Sequence, residues 1–203
     1  LELQEMISPL LGSYLRKAQS LENAELRRRK QNHETRCLVG YTKMVQERQS
    51  SQDYFRTILM TVVGQAFDAA GYQLKQAPLQ WSGGKYRFMK SFESGLYGLI
   101  DFQVLVATDT MWSSGMQSRF RVQLTRSDDR NGKPTSHKQY ITRTLSQLVV
   151  EDFGVNILSS ADYWWTYQDT DGLGKGLAEA GHLVVGYGMP WLAGDLVPPQ
   201  AKP

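Results

Sequence analysis

One cysteine, Cys37, stands in a chain of 203 residues. That excludes an internal disulfide framework and any zinc cluster built on several thiolates. Long apolar runs are missing too: no stretch approaches the roughly 18 to 20 residues that a membrane-spanning helix needs. No basic segment leading into an apolar one opens the chain, so no signal peptide is expected. No internal repeat is visible. Histidine is scarce, and His33, His137 and His182 lie far apart, with no sign of a Ser–His or Cys–His couple in a strained elbow. Hydrophobic residues make up 41% and charged residues 21% of the chain, so a packed core is expected and wholesale disorder is not. What remains is a globular, cytoplasmic protein, expected to need no membrane, metal or cofactor.

The net charge of +3 is unevenly spread. Counting Lys and Arg against Asp and Glu, residues 1–50 carry +3, residues 51–150 carry +5 and residues 151–203 carry −5. The basic part can attract an anionic partner, or the acidic tail can fold back and neutralise it.

Residues 1–50 read as a helical arm. Ser8-Pro9 is a helix-start signal, and Leu10, Leu11, Tyr14, Leu15 and Ala18 follow at helical spacing. The stretch 22–36 has only Ala24 and Leu26 as apolar residues, too few for a sustained coiled coil. Residues 51–203 read as a separate compact domain. In 51–71, Phe55, Ile58, Leu59, Val62, Val63, Ala66 and Phe67 cover most of a helix circumference, and Gly71 is a natural C-terminal cap.

Three strands follow. Tyr86, Phe88 and Phe92 share one parity, with Lys90 out of place among them. Ile100, Phe102, Val104 and Val106 alternate with Asp101, Gln103 and Leu105. Phe120, Val122 and Leu124 alternate with Arg119, Arg121, Gln123 and Thr125. Short connections and one-sided alternation predict an antiparallel sheet with one face under helices. Residues 127–136 read as an exposed loop. Ile141, Leu145, Leu148 and Val149 suit a helix ending by Gly154. Leu173 to Tyr187 suit another, weakened by Gly174, Gly176 and Gly181 and stopped or kinked at Pro190. The fold class is therefore α+β: an antiparallel sheet of at least three strands packed on helices, with a long helical N-terminal arm.

Two residue sets point to binding. Arg27, Arg28, Arg29 and Lys30, with Arg36 behind them, form a cationic run on the arm, and Arg119 and Arg121 head a polar sheet face to which Lys85 and Arg87 can add. Such groups neutralise phosphates, or else make ordinary solvated surface. Tyr163, Trp164 and Trp165 form the densest aromatic cluster, and adjacent tryptophans in an extended or helical segment cannot point the same way. With Tyr41 and Met44 of the arm they are candidate protein-interface residues. A metal-dependent nuclease built on Glu93 and Asp101 is a third reading, but Asp101 is followed by Gln103 rather than a second acid. Asp152-Phe153-Gly154 lacks a kinase context, and the glycines of 172–176 have neither phosphate-loop nor dinucleotide spacing and are expected to form a turn. The leading expectation is a non-enzymatic interaction module or accessory subunit, with a protein partner or a second copy of itself. Nucleic-acid binding through the basic arm and sheet face is the alternative.

Overall fold

The chain divides into two units, Leu1–Glu47 and Arg48–Pro203. The computed structural model describes residues 51–107 and 117–199, together with Lys30, which is helical and exposed. The expected arm, with Arg27, Arg28, Arg29, Arg36, Tyr41 and Met44, lies outside the described residues.

The second unit is α+β. Helix α1 spans residues 51–69 and ends in the cap its sequence predicts. Gly71 takes φ +83°, the amide of Gly71 donates to the Asp68 carbonyl, and that of Tyr72 donates to Phe67. Its buried residues, Phe55, Leu59, Val63 and Phe67, recur every four positions. On an ideal α-helix that spacing drifts by about 40° per step. The segment Met60–Gly64 is wound as a π turn, which turns more slowly and keeps all four over the sheet. The expectation of burial round most of the helix is corrected: Val62 and Ala66 are exposed, and α1 covers the sheet from one side only.

Six strands make one antiparallel sheet: β1 (Gln73–Leu74), β2 (Lys85–Ser91), β3 (Tyr97–Leu105), β4 (Ser118–Ser127), β5 (Ile141–Thr144) and β6 (Trp165–Tyr167). The first five are neighbours in chain order, and β6 joins β5 along the outer edge of β4. A short helix α2 (Pro78–Ser82) bridges β1 and β2. The register aligns Tyr86, Phe102 and Val122 in one row and Phe88, Ile100 and Leu124 in the next. All six are buried beneath the helices, each such side chain contributing about 1.5–3 kcal/mol on removal from water. Lys90 also has its place on this face. Its ammonium donates to the Ala70 carbonyl at 2.9 Å and lies over the rings of Tyr72 and Phe92.

Ile141 belongs to β5, opposite Arg126, and not to a helix. The helix starts only after Thr144, whose hydroxyl accepts from the amide of Gln147 while the Gln147 side chain accepts from the Thr144 amide. It runs as α3 (Leu145–Gln147) into a π turn, Leu148–Asp152.

The C-terminal helix corrects two further expectations. Gly172, Gly174 and Gly176 lie inside α4 (Thr170–Leu183), capped by Asp169, and do not form a turn. Small residues serve close approach there: a Cβ on Gly181 would stand 2.7 Å from Val63 Cγ1 on α1. Pro190 neither stops nor breaks the run. After the π turn Val184–Gly188 it takes one of the first positions of α5 (Met189–Ala193), where proline is tolerated. Gly194, at φ +89°, provides the stop.

Two phenols, Tyr72 and Tyr86, are buried in this body, and a third, Tyr167, is half-buried. Burial pushes Tyr167 up to about 12. It raises Tyr72 and Tyr86 further in the same direction, Tyr86 with help from the negative charge of Asp53. Between the ordinary value of about 10 and the raised ones, the unfolded chain has lost phenolic protons that the folded chain keeps. Stability is therefore complete below about pH 10 and is lost as pH rises through the folded values. Tyrosinate absorbance and circular dichroism, followed together in an alkaline titration, should show these phenols ionising only as the fold is lost. Ionisation well ahead of unfolding would contradict their burial. Tyr72→Phe removes a buried hydroxyl that has no partner among the described residues; it should leave neutral-pH stability intact and flatten the alkaline loss.

Candidate interaction surface

The second face of the sheet is set by the opposite parity: Lys85, Arg87, Leu99, Asp101, Gln103, Leu105, Arg119, Arg121, Gln123 and Thr125. On this face β2, β3 and β4 carry four cations, Lys85, Arg87, Arg119 and Arg121, against one carboxylate, Asp101. Half of this face is sealed. Arg87 and Asp101 are only 6% and 3% exposed, and they form a two-pronged pair: Nε donates to Oδ1 at 2.6 Å and Nη2 to Oδ2 at 2.7 Å. These bonds hold the Arg87 guanidinium charged more firmly than usual. Lys85 adds a contact to Asp101 Oδ2 at 3.1 Å. The connection from β4 to β5 crosses above the pair, and the remaining Arg87 nitrogen, Nη1, donates to the Asn131 carbonyl. Gly132 makes that crossing fit. It takes φ +68°, and a Cβ there would lie 2.5 Å from Leu99 Cδ1. The loop read from sequence as simply exposed is therefore exposed on its outer side and seated on the sheet by its inner one.

Among the described residues nothing seals the other half of the face. Arg119 and Arg121 sit on β4, and both guanidiniums lie over the ring of Trp164, at 4.8 and 4.7 Å from its centroid. Arg121 Nε also donates to Gln103 Oε1 at 3.1 Å. Leu105, opposite Arg119 on β3, is 42% exposed. Among the described residues no carboxylate lies within ion-pair distance of Arg119 or Arg121. The structure thus joins two residue sets that the sequence presents separately, the basic sheet residues and half of the aromatic cluster.

The other half of that cluster faces inward. Trp165 is 3% exposed. It stacks on Phe120 at 5.4 Å and 12°, and its indole donates to Glu179 Oε2 at 3.1 Å. Tyr163 is half-buried, its ring edge-on to Trp165 at 5.1 Å. Strand alternation explains the split: Phe120 pairs with Trp165 and Arg119 with Thr166, which leaves Trp164 on the arginine side. Gln103 stands beside Arg121, as its place on the polar face predicts, whereas Leu105 and the Asn131–Gly132 crossing are the members that sequence reasoning did not single out. The Asn-Gly step signals a turn, but not what the turn lies upon.

No family model matches the chain, and no curated protein or solved structure matches it.

Proposed function

We propose that the protein is a non-enzymatic interaction module, which docks an acidic surface of a partner protein onto the open half of its second sheet face. The carrying observation is the placement of two guanidiniums over Trp164 beside an exposed leucine. Arginine and tryptophan dominate the binding energy of protein interfaces because they bury a large area and keep directional donors. Their stacking also fixes the guanidinium planes, so less conformational freedom is lost when they meet a carboxylate. Nucleic-acid binding is the weaker reading, since guanidiniums already cover the ring that a base would stack on. The nuclease reading is weaker still, because both oxygens of Asp101 are engaged by Arg87 beneath a covering loop.

A photo-reactive amino acid at position 105 of the full chain, expressed in its native host, tests this reading. Discrete protein adducts should form. They should fall sharply in the Arg119→Ala/Arg121→Ala variant, in line with the roughly 2 kcal/mol or more lost when interface anchors are truncated. Nucleic-acid adducts, or adducts indifferent to both arginines, would overturn it. A second copy of the chain among the adducts, together with concentration-dependent sedimentation, would identify the partner as the protein itself.

A further inference from the structure

A second surface lies at the opposite edge of the sheet. There α1 and the segment from β1 to α2 stand around a cleft of about 600 Å³, walled by Arg56, Met60 and Asp68 on one side and by Leu74, Gln76 and Trp81 on the other. Among the described residues strand β1 pairs with β2 alone and forms the sheet edge. The amide of Lys75 donates to the Arg87 carbonyl at 2.8 Å. Hydrogen-bonding direction alternates along an antiparallel strand, so the peptide groups of Leu74 and Gln76 turn away from β2, towards the cleft. Open edges are usually guarded by a cation or a proline. Lys75, the cation on this edge, donates to Asn131 Oδ1 at 3.0 Å on the second face, and neither outward position carries a cation or a proline. The indole N–H of Trp81 is buried and has no partner among the described residues, which is unfavourable for as long as nothing accepts it.

Charge marks the two ends of the cleft. The Arg56 guanidinium lies 4.7 Å over the Trp81 ring and makes one solvent-exposed contact, at 3.6 Å, with Asp53 a turn before it. Asp68 follows twelve positions later on the same helix, about 18 Å along its axis. An extended segment of about six residues covers that distance. Because β1 runs from the Asp68 end towards the Arg56 end, an antiparallel strand added to it would begin beside Arg56 and finish beside Asp68.

We propose that this cleft binds an extended peptide segment of a partner protein, added to the sheet antiparallel to β1, with an acidic residue at its start and a basic residue at its end. The outward peptide groups of Leu74 and Gln76 supply the ladder, Met60 and Leu74 take the apolar side chains, and Trp81 Nε1 gains an acceptor. This site is separate from the Arg119–Trp164 surface and does not rest on the reading given for it.

The test uses the full chain and a library of acetylated, amidated six-residue peptides, glutamate first and lysine last, with the four central positions varied among Val, Thr, Ile and Ser. Enriched members should bind, shift the Trp81 indole resonance and slow amide exchange at Leu74 and Gln76. The same peptides with their ends exchanged should bind more weakly. Gln76→Pro removes one outward N–H and leaves the β1–β2 bonds in place, and it should weaken binding about tenfold, as the loss of one well-made hydrogen bond does. Gln76→Ala should not. Trp81→Phe provides an independent arm should the proline variant fold poorly. The proposal is overturned if no member binds at millimolar concentration, if Gln76→Pro and Trp81→Phe both bind as the parent does, or if the shifted resonances map to the Arg119–Trp164 face. It is also overturned if those resonances shift with protein concentration alone, which would give the edge to a second copy.

Discussion

Asp101→Ala should lower stability by about 3–5 kcal/mol, the loss typical of removing one partner from a buried ion pair. That is a large share of the roughly 5–15 kcal/mol that holds a domain of ordinary size together. The cause is what the substitution leaves behind. Arg87 would keep its charge and its single bond to the Asn131 carbonyl, but it would remain under the loop with two donors unmet. Urea unfolding measures the effect, with a shifted midpoint at an unchanged slope. Arg87→Met combined with Asp101→Leu should recover most of the loss, because two apolar side chains of similar volume leave no charge stranded. A loss below about 1 kcal/mol for Asp101→Ala, the range of solvated surface pairs, would mean that water reaches the pair and that the loop does not seal it.

Phe120→Ala should cost a similar amount, about 3–5 kcal/mol, for a different reason. Phe120 is the hub of the aromatic core. Its ring meets Phe55 edge-on at 5.7 Å, stacks on Trp165 at 5.4 Å, and lies 6.3 Å from Phe102 and 6.4 Å from Tyr167. Helix α4 passes directly above, where a Cβ on Gly176 would stand 3.4 Å from Phe120 Cε1. Truncation therefore opens a cavity whose walls belong to α1, three strands and α4, and rigid neighbours on every side collapse poorly. Gly176→Ala in the same chain should return part of the loss, since its methyl points at the vacated space and alanine favours the helix by about 1 kcal/mol over glycine. The two substitutions should thus be coupled by more than the 0.3–0.5 kcal/mol expected of independent sites. Thermal or chemical unfolding of the four chains in the cycle decides it. Additive losses would place α4 away from Phe120.

The sheet is legible in the sequence where one face is wet and the other dry. Phe120, Val122 and Leu124 against Arg119, Arg121 and Gln123 could be assigned to faces by parity alone. What lies over each face was not legible, because periodicity says which way a side chain points and nothing about what it meets. Arg87 and Asp101 look like surface residues for that reason, and the Asn131–Gly132 crossing that buries them is distant in sequence. Ile141 was misread because a four-residue strand followed at once by a helix lends its apolar residue to the helical pattern, and the Thr144–Gln147 capping box marks the true start. The π turns escape a reading that assumes 3.6 residues per turn, although the uniform spacing of Phe55, Leu59, Val63 and Phe67 carries their trace. Of the interaction surface, Arg119, Arg121 and Trp164 were named from sequence. Their meeting depends on β6 pairing with β4 across more than forty residues, a register that local pattern does not encode.

Tyr167, beside the two neighbouring tryptophans, gives that register its safeguard. A slip of β6 by one residue would put one tryptophan in the other's place, but it would also turn Tyr167 out of the core, away from Phe55 and Phe120, and turn Thr166 in. Such an error would spoil the interior and the outer surface in the same step. Any copy of the chain that presents Trp164 wrongly is therefore a poorly folded copy, open to removal by proteolysis before it reaches a partner. Selection for stability at Tyr167 alone would thus hold Trp164 in position, without acting on binding at all.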